Sequence, residues 1–137
     1  MKYRSQRVAT FLILTSLFLS VLGCGPAMAP VRGKVSMQDG SIVPKSLVVF
    51  EGTTNDGAVV SARGEVATDG SFELSTNNPK DGVPLGKYKV LVAPPPMVDA
   101  EAKAGIHFNP RFSDFSKSKL EFEVKSGENN FDIKLSK

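Results

Sequence analysis

Cys24 and His107 are the single cysteine and the single histidine of this 137-residue chain, so thiol or imidazole chemistry must start from one of them. One histidine cannot form a His-pair metal site. It leaves His107 as the one side chain whose unperturbed charge change falls near neutral pH. A Ser–His–Asp arrangement is compositionally available, but no serine sits in a nucleophile-elbow context. Four aspartates, Asp39, Asp56, Asp69 and Asp81, each precede a glycine. Repeated carboxylates suggest Ca²⁺, yet a Ca²⁺ loop of the EF-hand type needs several oxygen donors at fixed spacing and a late glutamate. That spacing is absent, and Asp-Gly is the composition of a tight turn. Turns are the expectation, with no metal and no cofactor.

His107, Phe108, Arg111, Phe112 and Phe115 fall within Pro94–Ser118, a stretch that begins Pro94-Pro95-Pro96 and shows no clear strand. Long connections often carry function, so these five residues form the candidate binding loop. Its three rings have two available roles, a binding lip or a cover folded down over the end of the domain. Small cores recruit such rings, which favours packing. Lys87 and Lys89, taken with Lys80, read as a solvated strand face rather than a basic patch.

The elements that position these residues begin with an export signal. Met1–Arg7 is basic, and Val8–Leu22 is apolar except for Thr10, Thr15, Ser16 and Ser20. A basic stretch, an apolar stretch and a small residue at the cut site make a signal peptide. The apolar run is shorter than the ~20 residues a membrane-spanning helix needs. Removing residues 1–23 takes away Lys2, Arg4 and Arg7 and no acid. The 17 basic residues then fall to match the 14 acidic ones, and the whole chain's net charge of +3 disappears. A neutral body without charge blocks argues against nucleic acid as a partner. With one cysteine, no disulfide can form inside the chain.

From Val31 onward the apolar period is two. Val31, Val35 and Met37 alternate with Arg32, Lys34 and Ser36, while Phe72 and Leu74 alternate with Ser71 and Glu73. Leu120, Phe122 and Val124 alternate with acids, as Phe131, Ile133 and Leu135 alternate with polar residues. Leu47–Phe50 reads as a central strand; Val60, Ala62 and Val66, then Tyr88, Val90 and Val92, form two further inward sets. Asp69-Gly70 carries the signal of a two-residue hairpin turn with positive φ at both central positions. Asp39-Gly40 with Pro44, and Gly127-Glu128-Asn129, mark two more connections. Val98–Ala104 is the one helical candidate, and it is short.

Two resemblances follow. Val21-Leu22-Gly23-Cys24 resembles the lipobox of bacterial lipoproteins. That resemblance implies diacylglycerol on the Cys24 thiol, cleavage before Cys24 and acylation, as by palmitate, of the new amine. The rival is ordinary cleavage after Ala27-Met28-Ala29, where Pro30 would obstruct the cut. Further on, Val31-Arg-Gly-Lys-Val35, Val43-Pro44, Val48-Val49-Phe50, Ala67-Thr-Asp-Gly-Ser-Phe72-Glu-Leu74 and Gly86-Lys-Tyr88-Lys-Val90 resemble the carboxypeptidase regulatory-like, transthyretin-like domain. So does the ending Phe131-Asp-Ile-Lys-Leu135. This family implies a prealbumin-like sandwich, usually without activity of its own. Relatives that hydrolyse 5-hydroxyisourate use several histidines and a Tyr-Arg-Gly-Ser ending; this chain has one histidine and ends Leu135-Ser-Lys137. Related adhesin sandwiches form a Lys–Asn amide, and Lys34 and Asn130 lie near the right ends, but Lys34 alternates to the wet face, away from any buried acid.

The expectation is an all-β chain: a single antiparallel two-sheet sandwich of about seven strands, Ig-like or prealbumin-like, after an N-terminal signal peptide. Residues 1–23 are the signal, 24–30 a lipidated tether and 31–137 the domain. The expected function is that of a non-catalytic accessory, binding or structural, anchored through Cys24 in the cell envelope. Its membrane is either the outer face of the inner membrane or the outer membrane, and its partners an envelope protein or polysaccharide. The alternative is an enzyme or sensor on the secreted side, built on the 94–118 loop around His107.

Overall fold

Alternating apolar residues give each segment one face that must leave water, and β-branched and aromatic side chains suit that pleated face. The computed structural model describes residues 26–95 and 108–137. Among them the strands are β1 (Met28–Ala29), β2 (Val31–Met37), β3 (Leu47–Thr54), β4 (Val59–Glu65) and β5 (Ser71–Glu73), followed by β6 (Val83–Pro84), β7 (Gly86–Ala93), β8 (Leu120–Val124) and β9 (Asn129–Leu135). A 3-10 turn, Pro110–Ser113, lies between β7 and β8. No α-helix occurs among the described residues, and no helix there is long and apolar enough to cross a membrane. Residues 1–23, Cys24, the helical candidate Val98–Ala104 and His107 lie outside the described residues.

The order β4-β3-β7-β8 forms one sheet and β5-β2-β9 the other. Their inner faces share one core, in which Val31, Val35, Met37, Ile133 and Leu135 meet Val48, Phe50, Tyr88, Val90 and Val92. Phe50 sits at the meeting point, its ring 6.1 Å from that of Tyr88 and 5.9 Å from those of Phe122 and Phe131. The seven strands of these two sheets are the seven segments read from alternation, and the all-β sandwich is the fold. Ser36 departs from the pattern. It is buried on the expected wet face, where the ammonium of Lys134, its neighbour on β9, donates to its hydroxyl at 2.8 Å.

One pairing differs in direction from the antiparallel expectation. β2 and β9 run parallel, from Val31 opposite Asn129 to Met37 opposite Leu135. Parallel neighbours need a long connection, and these two strands stand far apart in the chain. Alternation fixes which face is buried but carries no sign for direction.

A second departure concerns the tether. β1 pairs with β6, Met28 opposite Pro84 and Ala29 opposite Val83. Ala29 is 2% exposed, and the N–H of Leu85 donates to the carbonyl of Ala27 at 3.1 Å. Met28 and Ala29, expected within the 24–30 tether, therefore belong to the fold. Strands two residues long have no period to read.

The turns correct one detail. Gly40, Gly57 and Gly70 all have positive φ, and each N–H donates to the carbonyl three residues earlier, of Met37, Thr54 and Ala67, at 3.0 Å. Asp69 itself has no positive φ. Asp69-Gly70 is thus not a two-residue turn but part of a three-residue loop, a type I turn closed by a left-handed glycine.

Two ends can be distinguished. The proximal end holds Pro26–Pro30, the turn Thr54–Ala58 and the turn Lys125–Asn129. It is tied together by Asn55 N–H to the Leu85 carbonyl at 3.0 Å and Asn129 N–H to the Pro30 carbonyl at 3.1 Å. The distal end holds Met37–Ser41, residues 108–118 and Leu135–Lys137. There Gln38 N–H donates to the Leu135 carbonyl at 2.9 Å and Asn109 N–H to the Ser136 carbonyl at 2.8 Å.

Candidate functional site

The described part of the candidate binding loop is a cap on the distal end. Asn109 starts the 3-10 turn, its side-chain oxygen accepting from Arg111 N–H at 3.1 Å, with Pro110 at the first helical position. Phe108 and Phe112 point into the core at 9% and 4% exposure, edge to face with centroids 6.5 Å apart. Of the two roles open to them, Phe108 and Phe112 take the favoured one, packing, because the distal end of the sandwich has apolar surface to cover. Phe115 is half-buried. Arg111 remains exposed, its guanidinium carbon 4.6 Å above the Phe112 ring.

Two hydroxyls seat the cap. β8 covers β7 only from Gly86 to Val90. At the limit of that pairing and beyond it, Ser118 Oγ donates to the Val90 carbonyl at 2.6 Å and Ser113 Oγ to the Val92 carbonyl at 2.9 Å. Asp114 accepts from the N–H and hydroxyl of Ser116, at 2.8 and 2.6 Å, and lies 3.3 Å from Lys117 Nζ. The Ser116 hydroxyl first, then its N–H, holds the Asp114 carboxyl down at about 2.

A concave surface lies elsewhere. It is a shallow groove of about 800 Å³ on the outer face of the four-stranded sheet, lined among others by Glu51, Thr53, Lys87, Lys89, Glu121 and Glu123. Register explains the pattern: Lys89 stands between Glu51 and Glu121, and Lys87 between Thr53 and Glu123. Opposite charges in neighbouring strands stabilise a sheet face. Lys87 and Lys89 are therefore interleaved with acids, as a solvated face requires. Such a floor offers donors and acceptors side by side to a polar ligand, without a nucleophile held by a base. Sequence reading missed the groove, although its signal, charge at every second position of β7 and β8 with Glu51 on β3, was present. Only the register shows that the three meet.

The aspartates of the Asp-Gly pairs serve their own turns. Asp39 accepts from Ser41 and Asp69 from Ser71, each by N–H and hydroxyl. Asp56 accepts from the Thr54 hydroxyl. Asp81 accepts from the N–H groups of Thr76, Asn77 and Asn78 at 2.8–2.9 Å. All four carboxyls lie below their ordinary range, led by the Ser41, Thr54 and Ser71 hydroxyls and by the Thr76 N–H respectively. Tyr88 moves the other way, its phenol pushed up by burial while its hydroxyl donates to the Pro84 carbonyl at 2.8 Å. Among the described residues no cluster of acids, His or Cys suits a metal ion. No buried side-chain polar atom there lacks a partner. Lys34 is exposed and stands opposite Asp132, not Asn130.

No family model matches the chain, and no curated protein matches it. Among solved structures it is similar to a DUF3823 family protein from Parabacteroides merdae, at 12% identity and a TM-score of 0.44. The match covers 81% of this chain and 47% of that one, so the chain spans about half of that protein's length.

Proposed function

We propose that this chain is an exported lipoprotein, acylated at Cys24, whose β-sandwich is a non-catalytic accessory module of the cell envelope. The observation that carries this reading is the place of Cys24. It is the sole cysteine, it closes the apolar run Val8–Leu22, and it precedes Met28, the first strand residue among those described, by four positions. A signal peptidase cut before Cys24 leaves the folded domain intact, whereas a cut after Ala29 would remove β1 and the backbone bonds it makes. That asymmetry supports the lipobox over the Ala27-Met28-Ala29 site. Two or three acyl chains, at ~0.8 kcal/mol per buried CH₂, give stable anchoring. The domain is of the carboxypeptidase regulatory-like kind that its motifs resemble, and it serves envelope polymers or proteins as a structural or binding partner. The groove over Lys87 and Lys89 offers it a polar contact surface.

Intact-mass analysis and detergent partitioning test the reading. Wild type is expected in the membrane fraction with an acylated N-terminal Cys24, and Cys24→Ala as an unprocessed or soluble form. An unlipidated wild type beginning at Pro30 rejects it.

A further inference from the structure

We propose that the proximal end of the sandwich rests on the bilayer, with Met28 and Val59 as its contact points and the distal cap held away from the surface. This rests on the lipoprotein reading above. Four residues lead from Cys24 to Met28, a reach of at most ~14 Å when fully extended. Strands of seven or eight residues are ~25 Å long. Because Ala27 and Ala29 are bonded to β6 and its neighbour Leu85, the leash cannot lengthen without breaking β1 from β6. The end nearest the lipid is therefore fixed by the fold.

A second observation points to the same end. Among the described residues the large apolar side chains left exposed are Met28, at 38%, and Val59, at 79%. Both are proximal. Met28 stands opposite Pro84, and Val59 opposite Thr53 beside the turn Thr54–Ala58. Exposed apolar residues are ordinary when scattered; here they share the end from which the chain leaves toward Cys24. The turns around them carry Lys80 and Lys125 against Asp56, Asp81 and Glu128, so there is no basic excess to seek anionic headgroups. The contact is apolar and independent of lipid charge.

The chain contains no tryptophan, which makes a single introduced indole an unambiguous depth reporter. Full-length Val59→Trp and Gln38→Trp, each processed and purified from membranes, would be reconstituted into phosphatidylcholine vesicles containing brominated phosphatidylcholine. Intact mass would be taken on the same samples. Val59 and Gln38 are both exposed, one proximal and one distal; Ala58→Trp repeats the proximal reading if Val59→Trp misfolds. The expected result is acylated protein whose proximal indole is quenched several-fold more than the distal one and shifts to the blue on reconstitution. Adding phosphatidylglycerol should leave that ratio unchanged. Acylated protein with equal quenching at both positions overturns the orientation and leaves the lipoprotein reading standing. A ratio that appears only with phosphatidylglycerol overturns the apolar contact. Unacylated protein overturns both proposals together.

Discussion

At the proximal end Ala29 pairs with Val83 and Leu85 donates to Ala27, so backbone meets backbone. At the distal end the rings of Phe108 and Phe112 and the hydroxyls of Ser113 and Ser118 perform the same task. Both ends of a two-sheet sandwich expose core edges and unpaired carbonyls, and both must be covered. The two solutions differ in what they ask of the sequence. A backbone clasp accepts almost any small residue and demands mainly that Gly82 keep its left-handed conformation, φ +84°, under the Ala29 carbonyl. A side-chain cap needs particular rings and hydroxyls at particular places. The proximal closure is thus nearly silent in the sequence, while the distal one is conspicuous and invites a functional reading.

Substitutions can break this contrast. Phe112→Ala should have the largest effect, about 3–5 kcal/mol by urea denaturation, the usual range for deleting a buried ring. A loss below ~1 kcal/mol would return the cap to the status of a binding lip. Gly82→Ala comes next at ~1–3 kcal/mol, the cost of holding a non-glycine residue in a sparsely populated region. A Cβ there would lie 2.5 Å from the Ala29 carbonyl oxygen. Its signature should be local: amide exchange at Ala29 and Val83 rises while Val90 stays protected. Uniform loss of protection would mean that the clasp and the sandwich unfold as one unit. Ser118→Ala removes the hydroxyl that serves the Val90 carbonyl and should cost ~1–2 kcal/mol. Arg111→Ala, taking away an exposed cation over a ring, should cost no more than ~1 kcal/mol.

The smallest effect is one of pH. Asp114 lies near 2 in the folded chain against an ordinary value of 3.8. A folded-state pKa below the unfolded one stabilises the protein above the unfolded value, and the benefit disappears as pH falls through the folded one. The thermal midpoint should therefore fall as pH goes from about 4 to about 2. Asp114→Asn should flatten part of that fall. An unchanged acid limb would place the sensitivity with Asp39, Asp56, Asp69 and Asp81 instead.

Much of the fold was legible because burial on one face imposes a period of two, and seven segments show it. Their pairing was not. Val31–Met37 and Asn129–Leu135 look alike whether they run together or opposed, since a strand's alternation is the same read in either direction. β1 and β6 escaped because two residues make no pattern. Phe108 and Phe112 stood out by type, but an aromatic ring in a polar stretch has the same letter whether it faces ligand or core. The groove failed for a different reason: Glu51, Lys89 and Glu121 become neighbours only through register, which no single segment contains.

The parallel pairing of β2 with β9 has a mechanical consequence. A pull applied at Val31 and Leu135 acts on opposite ends of two side-by-side strands, along their length. The evenly spaced bonds of a parallel ladder, from Val31–Asn129 to Met37–Leu135, would then bear the load together in shear. Antiparallel neighbours pulled at one shared end would open pair by pair, like a zip. A domain leashed near Val31 and gripped near Leu135 would thus resist tension along its stiffest direction.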